Sequence, residues 1–433
     1  MKPTDNHSLQ AWIDWLLAVH PQEIDLGLSR VRQVANTMGL LQPIPYVISV
    51  AGTNGKGSSV AMLSAIYQAA GYQVGCYTSP HILSFNERFQ LNGQLASDTE
   101  ITQAFFEIEQ ARQSSNNIKL TYFEFSTLAA LVIFARQKLD IIILEVGLGG
   151  RLDAVNIIDA DASLITAVDI DHVDWLGDNR DKIGFEKAGI MRPNQLSISS
   201  STSSPRSVKK HALAVGADFY QVNHDYNIIV NKQNWNFESL NSCLKPCLNL
   251  PFPNLQGQFQ IQNAAGVIAL IQAGRLKVSQ QNIKSGLQKV THFGRLQRFE
   301  ITGNHWLADV AHNVQSMTVL ATHLQQIEFK GVAIFSVLDD KDYLNMIAKI
   351  MPFVSHWYIA DLSVARASSL PMIEDMLVHS GVDASSITSF DSIAKATSFA
   401  LQQNNQPVLV SGSFFTVAQC YNSLQTHGIQ VFL

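Results

Sequence analysis

The chain has 433 residues, 46% hydrophobic and only 15% charged, with 30 basic and 35 acidic side chains for a formal net charge of −5. That composition excludes a disordered chain, and the acidic balance argues against broad nucleic-acid binding, which needs a basic face. No apolar run approaches the ~20 residues of a membrane span, the stretch Met1–His7 is too polar for a signal peptide, and cysteines 76, 243, 247 and 420 are too few for a disulfide framework.

A cytoplasmic protein with reduced thiols is therefore expected, with no membrane and no nucleic acid among its partners. At roughly 150 residues per domain, the length suggests two or three domains. With so few charges, amides and serines are expected to carry the surface. Ser8 is placed to cap a first helix bearing Leu9, Trp12, Ile13, Leu16 and Leu17. Strands are then expected over 46–51, 73–77, 141–146 and 163–170, and helices over 59–70, stopped by Gly71, and 125–138. This alternation predicts an α/β fold with a parallel sheet wrapped by helices. The serine-rich run Ser197–Pro205 is read as a surface loop, because patterned segments continue on both sides. Cys243 and Cys247 have half-site spacing for a metal, but no second Cys/His pair accompanies them and Pro246 intervenes, so unrelated thiols are expected. A second alternation begins near residue 300, with strands expected over 306–311, 332–338, 357–362 and 407–412. It lacks G-x-G-x-x-G, so a dinucleotide is not indicated. The boundary is placed at about 291–299, giving domains 1–294 and 299–433.

The strongest local signal is the glycine-rich run 50–59, between an expected strand and an expected helix. Its residues Thr53, Asn54, Gly55, Lys56, Gly57 and Ser58 suit a phosphate cradle. Glycines let backbone N–H groups face an anion, and the helix N-terminus adds positive potential. Lys56 would pair with the β- and γ-phosphates, and a hydroxyl from Ser58 or Ser59 would reach metal or phosphate. The strict pattern G-x-x-x-x-G-K-S/T is not met, since Val50 replaces the first glycine and Gly57 follows the lysine.

Ligands of open α/β sheets sit beyond the carboxyl ends of strands. Ser79, Glu145 and His172 all fall at such ends, and together they offer a hydroxyl, a carboxylate and an imidazole for Mg²⁺. Lys187, by itself, reads as an ordinary solvated lysine.

These segments together resemble the folylpolyglutamate synthase family, related to the Mur ligases. The resemblance rests on 51–58 (AGTNGKGS), 77–82 (YTSPHI), 143–156 (ILEVGLGGRLDAVN), 171–177 (DHVDWLG), 186–190 (EKAGI), 263–265 (NAA) and 309–313 (DVAHN). Segments 24–28 (IDLGL) and 120–124 (LTYFE) are similar to those of the bifunctional bacterial members. The resemblance implies a P-loop-type parallel-sheet ATPase domain, Mur ligase-like, followed by a smaller Rossmann-like α/β domain. It implies an ATP-dependent ligase that adds L-glutamate to dihydropteroate and to reduced folates through an acyl phosphate, with one or two Mg²⁺ ions. It further implies that residues 53–58 cradle ATP, that Ser79, Glu145 and His172 ligate magnesium, and that Lys187 is carbamylated. Asn263, Arg295 and Asp309 would contact the nucleotide. His312 would act near the reacting carboxylate or the incoming glutamate. Asp25, Leu26, Thr121, Phe123 and Asp153 would line the pterin side. A monomer is expected. Phe415 stands where histidine is common in the bacterial members, and Arg298 is close enough to Arg295 to leave the ATP-contacting arginine open. A Mur-type peptide ligase is the alternative within the class, disfavoured because no separate nucleotide-sugar domain is apparent before residue 52.

Overall fold

The structure, a computed structural model, describes residues 3–4, 7–19, 25–339, 341–364, 366–403 and 406–431. Ile24 of the 24–28 segment and Met1, Lys2, Asp5 and Asn6 of the N-terminal stretch lie outside the described residues. The chain divides into two compact units: residues up to Asn254 with Gln260–Thr291, and Leu255–Phe259 with residues from His292 onward.

The first unit is built on eight strands: β1 (Tyr46–Ala51), β2 (Val74–Tyr77), β3 (Phe89–Leu91), β4 (Gln94–Leu95), β5 (Ile141–Glu145), β6 (Ala162–Ile165), β7 (Leu196–Ser199) and β8 (Asp218–Gln221). Their order is β4-β3-β2-β5-β1-β6-β7-β8. From β2 to β8 every neighbour is parallel, while β3 and β4 form an antiparallel edge. β1 and β5 are buried along their whole length. That is the signature of parallel strands covered on both faces, and it explains their unbroken apolar runs. The helix expected from residue 125 runs Tyr122–Ala135, because Thr121 and Glu124 form a capping box that starts it earlier. The strand expected over 163–170 ends at Ile165, where the chain turns toward the phosphate loop.

The first part of the serine-rich run corrects the expectation of a surface loop, while Thr202 and Ser203 are exposed in a turn. Leu196–Ser199 is the buried strand β7, and Ser200 and Ser201 are buried too. Ser163 Oγ donates to Ser197 Oγ at 2.8 Å across β6 and β7. A hydroxyl satisfied by its neighbour on the next strand can be buried, so serine composition does not mark a surface here. Beyond β8, the strands β9 (Tyr226–Val230), β10 (Trp235–Ser239) and β11 (Cys247–Leu250) form an antiparallel sheet for which no expectation existed. Cys243 is exposed and Cys247 is buried on β11, both as free thiols.

The second unit carries β12 (Gln297–Ile301), β13 (Asn304–Ala308), β14 (Gly331–Phe335), β15 (Val354–Ala360), β16 (Ile387–Phe390) and β17 (Val408–Ser411). Their order is β12-β13-β17-β14-β15-β16, parallel except for the β12–β13 hairpin. Residues 297–299, expected as linker, already belong to β12. Trp357, Phe335 and Leu409 sit in its apolar core. Among the described residues, no helix is long and apolar enough to cross a membrane.

The phosphate-loop helix Lys56–Ala69 is held from behind by helix Gln280–Lys289 through Gly286. A Cβ on Gly286 would come within 2.5 Å of Ile66 Cα and 2.7 Å of its amide nitrogen. Backbone cannot yield as a side-chain tip can. Gly286→Ala is therefore expected to destabilise the first unit by ~1–3 kcal/mol from overpacking, outweighing the ~1 kcal/mol that alanine gains in a helix. Urea unfolding would show it, and an unchanged midpoint would contradict the close helix contact.

Candidate active site

The sheet order brings the candidate residues together. β1, which ends in the phosphate loop, lies between β5 and β6, and β2 flanks β5. The register sets Val50 beside Glu145, Ala51 beside Ile165 and Tyr77 beside Leu144. The segments carrying the loop, Glu145, Ser79 and His172 therefore all leave the sheet at one edge.

The loop is fastened to the segment after β6. Thr53 N–H donates to Ala167 O at 2.6 Å, and Thr53 Oγ1 donates to Asp169 O at 3.0 Å. Thr166 Oγ1 donates to Asn54 O at 2.8 Å. Gly52 makes this possible: at φ 155°, a Cβ there would lie 1.8 Å from Thr166 Oγ1. Gly55 is left-handed at φ 90° and precedes the helix Lys56–Ala69 without a side-chain cap, the backbone arrangement of a helix start that suits an anion. Asn263 presses its carboxamide on Gly55, where a Cβ would meet Asn263 Oδ1 at 2.7 Å. Asn263 Nδ2 donates to Gln260 Oε1, and Gln260 Nε2 donates to Ser58 Oγ at 3.2 Å. Ser59 Oγ turns back to donate to Gly55 O at 2.9 Å, so both loop hydroxyls are buried and engaged, Ser58 by Gln260 and Ser59 by the backbone.

Two lysines meet at one atom. Lys56 Nζ donates to Gly52 O at 3.0 Å and to Thr53 O at 3.1 Å, and Lys187 Nζ donates to the same Gly52 O at 2.9 Å. Lys187 is buried, not the solvated lysine its sequence suggests. Burial first, and the charge of Lys56 second, push its amine down to about 7, against the opposing pull of Asp171 and Asp153. Its helix, Arg180–Ala188, is clamped by the loop after β5. Arg151 N–H donates to Glu186 O at 2.8 Å, and Arg151 pairs with the Glu186 carboxylate at 2.9 Å.

Glu145 is buried at the end of β5, and its Oε2 accepts the Ser79 N–H at 3.1 Å. His172 holds a left-handed conformation, φ 52°, at the start of the short helix Val173–Leu176. Among the described residues no three His, Cys, Asp or Glu side chains gather as a metal cluster. The candidate set contains only two such side chains, its remaining donor being a hydroxyl.

The pterin-side candidates divide into wall and scaffold. Phe123 lies over Gly147, where a Cβ would come within 2.6 Å of its ring. Thr121 is buried as the cap of its own helix: its Oγ1 accepts the Glu124 N–H at 3.1 Å. Asp153 is buried, its carboxylate accepting the N–H groups of Leu148 at 2.8 Å and Val155 at 2.9 Å. Burial pushes it up to about 6. These last two side chains are engaged in shaping the loops. Asp25 is exposed and pairs with Arg30 at 2.8 Å, which also reaches Glu124 at 3.1 Å; Leu26 is half-buried beside it.

In the second unit, the Asp309 carboxylate accepts the N–H groups of Leu296 and Ala311, each at 2.8 Å. Burial pushes it up to about 6, opposed first by Arg295. Arg295 stacks on Phe414 at 5.1 Å, and the His312 ring lies 5.3 Å from the same Phe414. Arg298 instead meets His323 Nε2 at 3.0 Å. Arg295 is thus the arginine grouped with Asp309 and His312. Phe414 went unremarked in the sequence because an aromatic residue there carries no polar signal; Phe415 beside it is exposed.

The sequence model of the Mur ligase middle domain matches residues 50–271, and that of the Mur ligase glutamate ligase domain matches 294–414. A phosphate loop on a central parallel strand, followed by a glutamate ligase domain, is the Mur ligase class of architecture. The dihydrofolate synthase/folylpolyglutamate synthase of Escherichia coli strain K12 is 39% identical over 414 residues, spanning 95% of this chain and 94% of its own. The solved structure of E. coli FolC in complex with DHPP and ADP matches with a TM-score of 0.90 at 37% identity, covering 99% of this chain and 100% of that one. A bifunctional folylpolyglutamate synthase/dihydrofolate synthase with Mn, AMPPNP and L-glutamate bound matches with a TM-score of 0.88 at 36% identity, covering 98% of this chain and 100% of that one. The chain belongs to the dihydrofolate synthase/folylpolyglutamate synthase family.

Lys187 has a consequence for stability. Its folded pKa, about 7, lies below the ordinary lysine value of 10.5. Between the two values the unfolded chain binds a proton that the native chain does not, so this residue makes stability rise with pH across that window. Lys187→Met should flatten that rise in urea titrations from pH 7 to 10. An unaltered slope would place a charged amine at the site.

Proposed function

We infer that the chain is an ADP-forming ligase that joins L-glutamate to dihydropteroate, giving dihydrofolate, and to reduced folates, giving folylpolyglutamates. The observation that carries this reading is the meeting of Lys56 and Lys187 on Gly52 O, at the sheet edge that also bears Glu145 and Ser79. It is supported by the family's shared names and by the DHPP, ADP, AMPPNP and L-glutamate held by the relatives.

A carboxylate does not condense with an amine at neutral pH, because oxide is a poor leaving group. The γ-phosphoryl of ATP moves to a carboxylate oxygen, releasing ADP and leaving an acyl phosphate. The glutamate amine then attacks the carbonyl carbon, phosphate departs and the amine loses its proton. Residues 53–58 cradle the phosphates, and Lys56 balances the charge that grows during transfer. Asn263, Arg295 and Asp309 hold the nucleotide. His312 Nδ1 lies 2.9 Å from Val310 O. A carbonyl only accepts, so Nδ1 carries a proton and donates it there, which orients the ring against Phe414 on the side assigned to the incoming glutamate.

The donor set suits a hard divalent ion: the buried carboxylate of Glu145 stands against the Ser79 backbone at a strand end. Ser79, Glu145 and His172 would hold Mg²⁺, which when bound offsets charge on the phosphoryl oxygens. Asp25, Leu26, Thr121, Phe123 and Asp153 form or support the pterin wall. Because dihydropteroate and a reduced folate place their reacting carboxylates a glutamyl unit apart, this wall serves two poses.

The test is ADP release with dihydropteroate or a reduced folate, each with and without L-glutamate. Glutamate-dependent release is expected with both. Release without glutamate would indicate a kinase, and release with folate alone would reduce the chain to a folylpolyglutamate synthase. Lys56→Ala should fold normally and lose roughly a hundredfold or more in turnover, since its charge acts mainly in the transition state. Carbamylation of Lys187 is the remaining expectation. Its amine is neutral enough near pH 7 to attack CO₂, forming an N–C bond and releasing a proton. Protein equilibrated with ¹³C-bicarbonate should show a carbamate resonance that Lys187→Met abolishes. A spectrum without that resonance in the wild type would contradict it.

A further inference from the structure

Arg88 ends the short 3-10 helix Phe85–Arg88 and is only 7% exposed. Its guanidinium lies 5.4 Å from the Phe85 ring centroid and 5.5 Å from that of Tyr122. Nε donates to His81 Nδ1 at 2.9 Å. An imidazole nitrogen that accepts is unprotonated, so it brings no counter-charge. Glu87, the residue before it, is charged but aimed elsewhere. Its carboxylate is taken by the N–H groups of Ile82 at 2.8 Å and of Leu83 and Ser84 at 2.7 Å. Among the described residues no carboxylate pairs with Arg88, and no acceptor takes its four Nη protons. Arg112 shows the contrast: with a side chain 12% exposed, it is held by both oxygens of Glu109.

Burying an arginine without a counter-ion is costly, and aromatic faces offset only part of that cost. The unused Nη edge is a planar fork matched to a carboxylate. Its place is informative. Arg88 O accepts the Thr78 N–H at 3.0 Å, one residue before Ser79, whose own N–H bonds Glu145. On the other side, Tyr122 lies between Thr121 and Phe123, the pterin-side candidates. The fork therefore stands between the Ser79 turn and the pterin wall.

We propose that Arg88 is a specificity residue of the acceptor site, its guanidinium fork binding a carboxylate of the pterin substrate. This rests on the ligase reading above. Dihydropteroate offers one carboxylate, the reacting one. A reduced folate offers an α-carboxylate in addition to the reacting γ-carboxylate.

The experiment measures binding of dihydropteroate, a reduced folate and their carboxamide analogues to the full chain, in wild type, Arg88→Gln and Arg88→Lys. Wild type should prefer each carboxylate ligand to its amide. Arg88→Gln should weaken carboxylate ligands roughly tenfold or more while changing the amides little, so the preference collapses. Weakening of both acids assigns the fork to the reacting carboxylate, and weakening of the folate alone assigns it to the α-carboxylate. Arg88→Lys keeps charge and stem but not the fork; it carries the same comparison if the glutamine variant does not fold, with a partial loss expected. Equal weakening of acid and amide in a folded variant, or no change, would make Arg88 a purely structural residue and overturn the proposal. A wild type that binds neither acid would overturn the ligase reading and this proposal together. Wild-type binding with unaltered variants would overturn Arg88's role alone.

Discussion

Lys56 and Lys187 both donate to one backbone oxygen, Gly52 O, at 3.0 and 2.9 Å. Their ammonium groups are thus within about 6 Å of each other, where two unit charges repel by ~3 kcal/mol at an effective dielectric near 20. That repulsion, added to burial, is why one of the two is held near neutrality. Lys56 belongs to the phosphate loop itself, at the first position of its helix. Lys187, deeper in the fold, is the one whose amine burial and the neighbouring charge push down to about 7. A single carbonyl thereby gathers two chemically identical side chains that sit in different surroundings. The carbonyl itself is placed by the extended turn at Gly52 against Thr166.

Everything else at this edge follows from strand order. Placing β1 between β5 and β6 puts residues nearly a hundred positions from the loop directly beside it. The loop after β5 then reaches across to clamp the Lys187 helix through Arg151 and Glu186. The sheet acts as a rigid comb, and the reactive groups are its tips.

The parts of this architecture legible in the sequence were those whose chemistry is local. A glycine-rich turn between an apolar run and a helix announces itself, and so does an acid closing an unbroken apolar run such as 141–145. What escaped depends on partners far away in the chain. Ser197 reads as surface until Ser163 is set beside it by the β6–β7 register. Thr121 and Asp153 look like ligands, yet their side chains satisfy backbone N–H groups, a role fixed by tight local loops rather than by residue type. Lys187 looks solvated until the loop after β5 closes over its helix. Arg88 gives no signal, because the absence of a counter-ion is a property of the folded surroundings.

The short excursion at Leu255–Phe259 has a consequence for how the protein can be taken apart. This pentapeptide packs with the second unit, where Gly257 backs onto the Leu296 side chain, before the chain returns for Gln260–Thr291. The covalent chain thus passes between units three times. Scission after Thr291 would not give two self-sufficient fragments: the N-terminal piece would carry off a strip of its neighbour's apolar core and display Phe259 and Leu255 to water. Autonomous halves require a redesigned bridge over 255–259, and a circular permutant opened within that pentapeptide would sever the same packing.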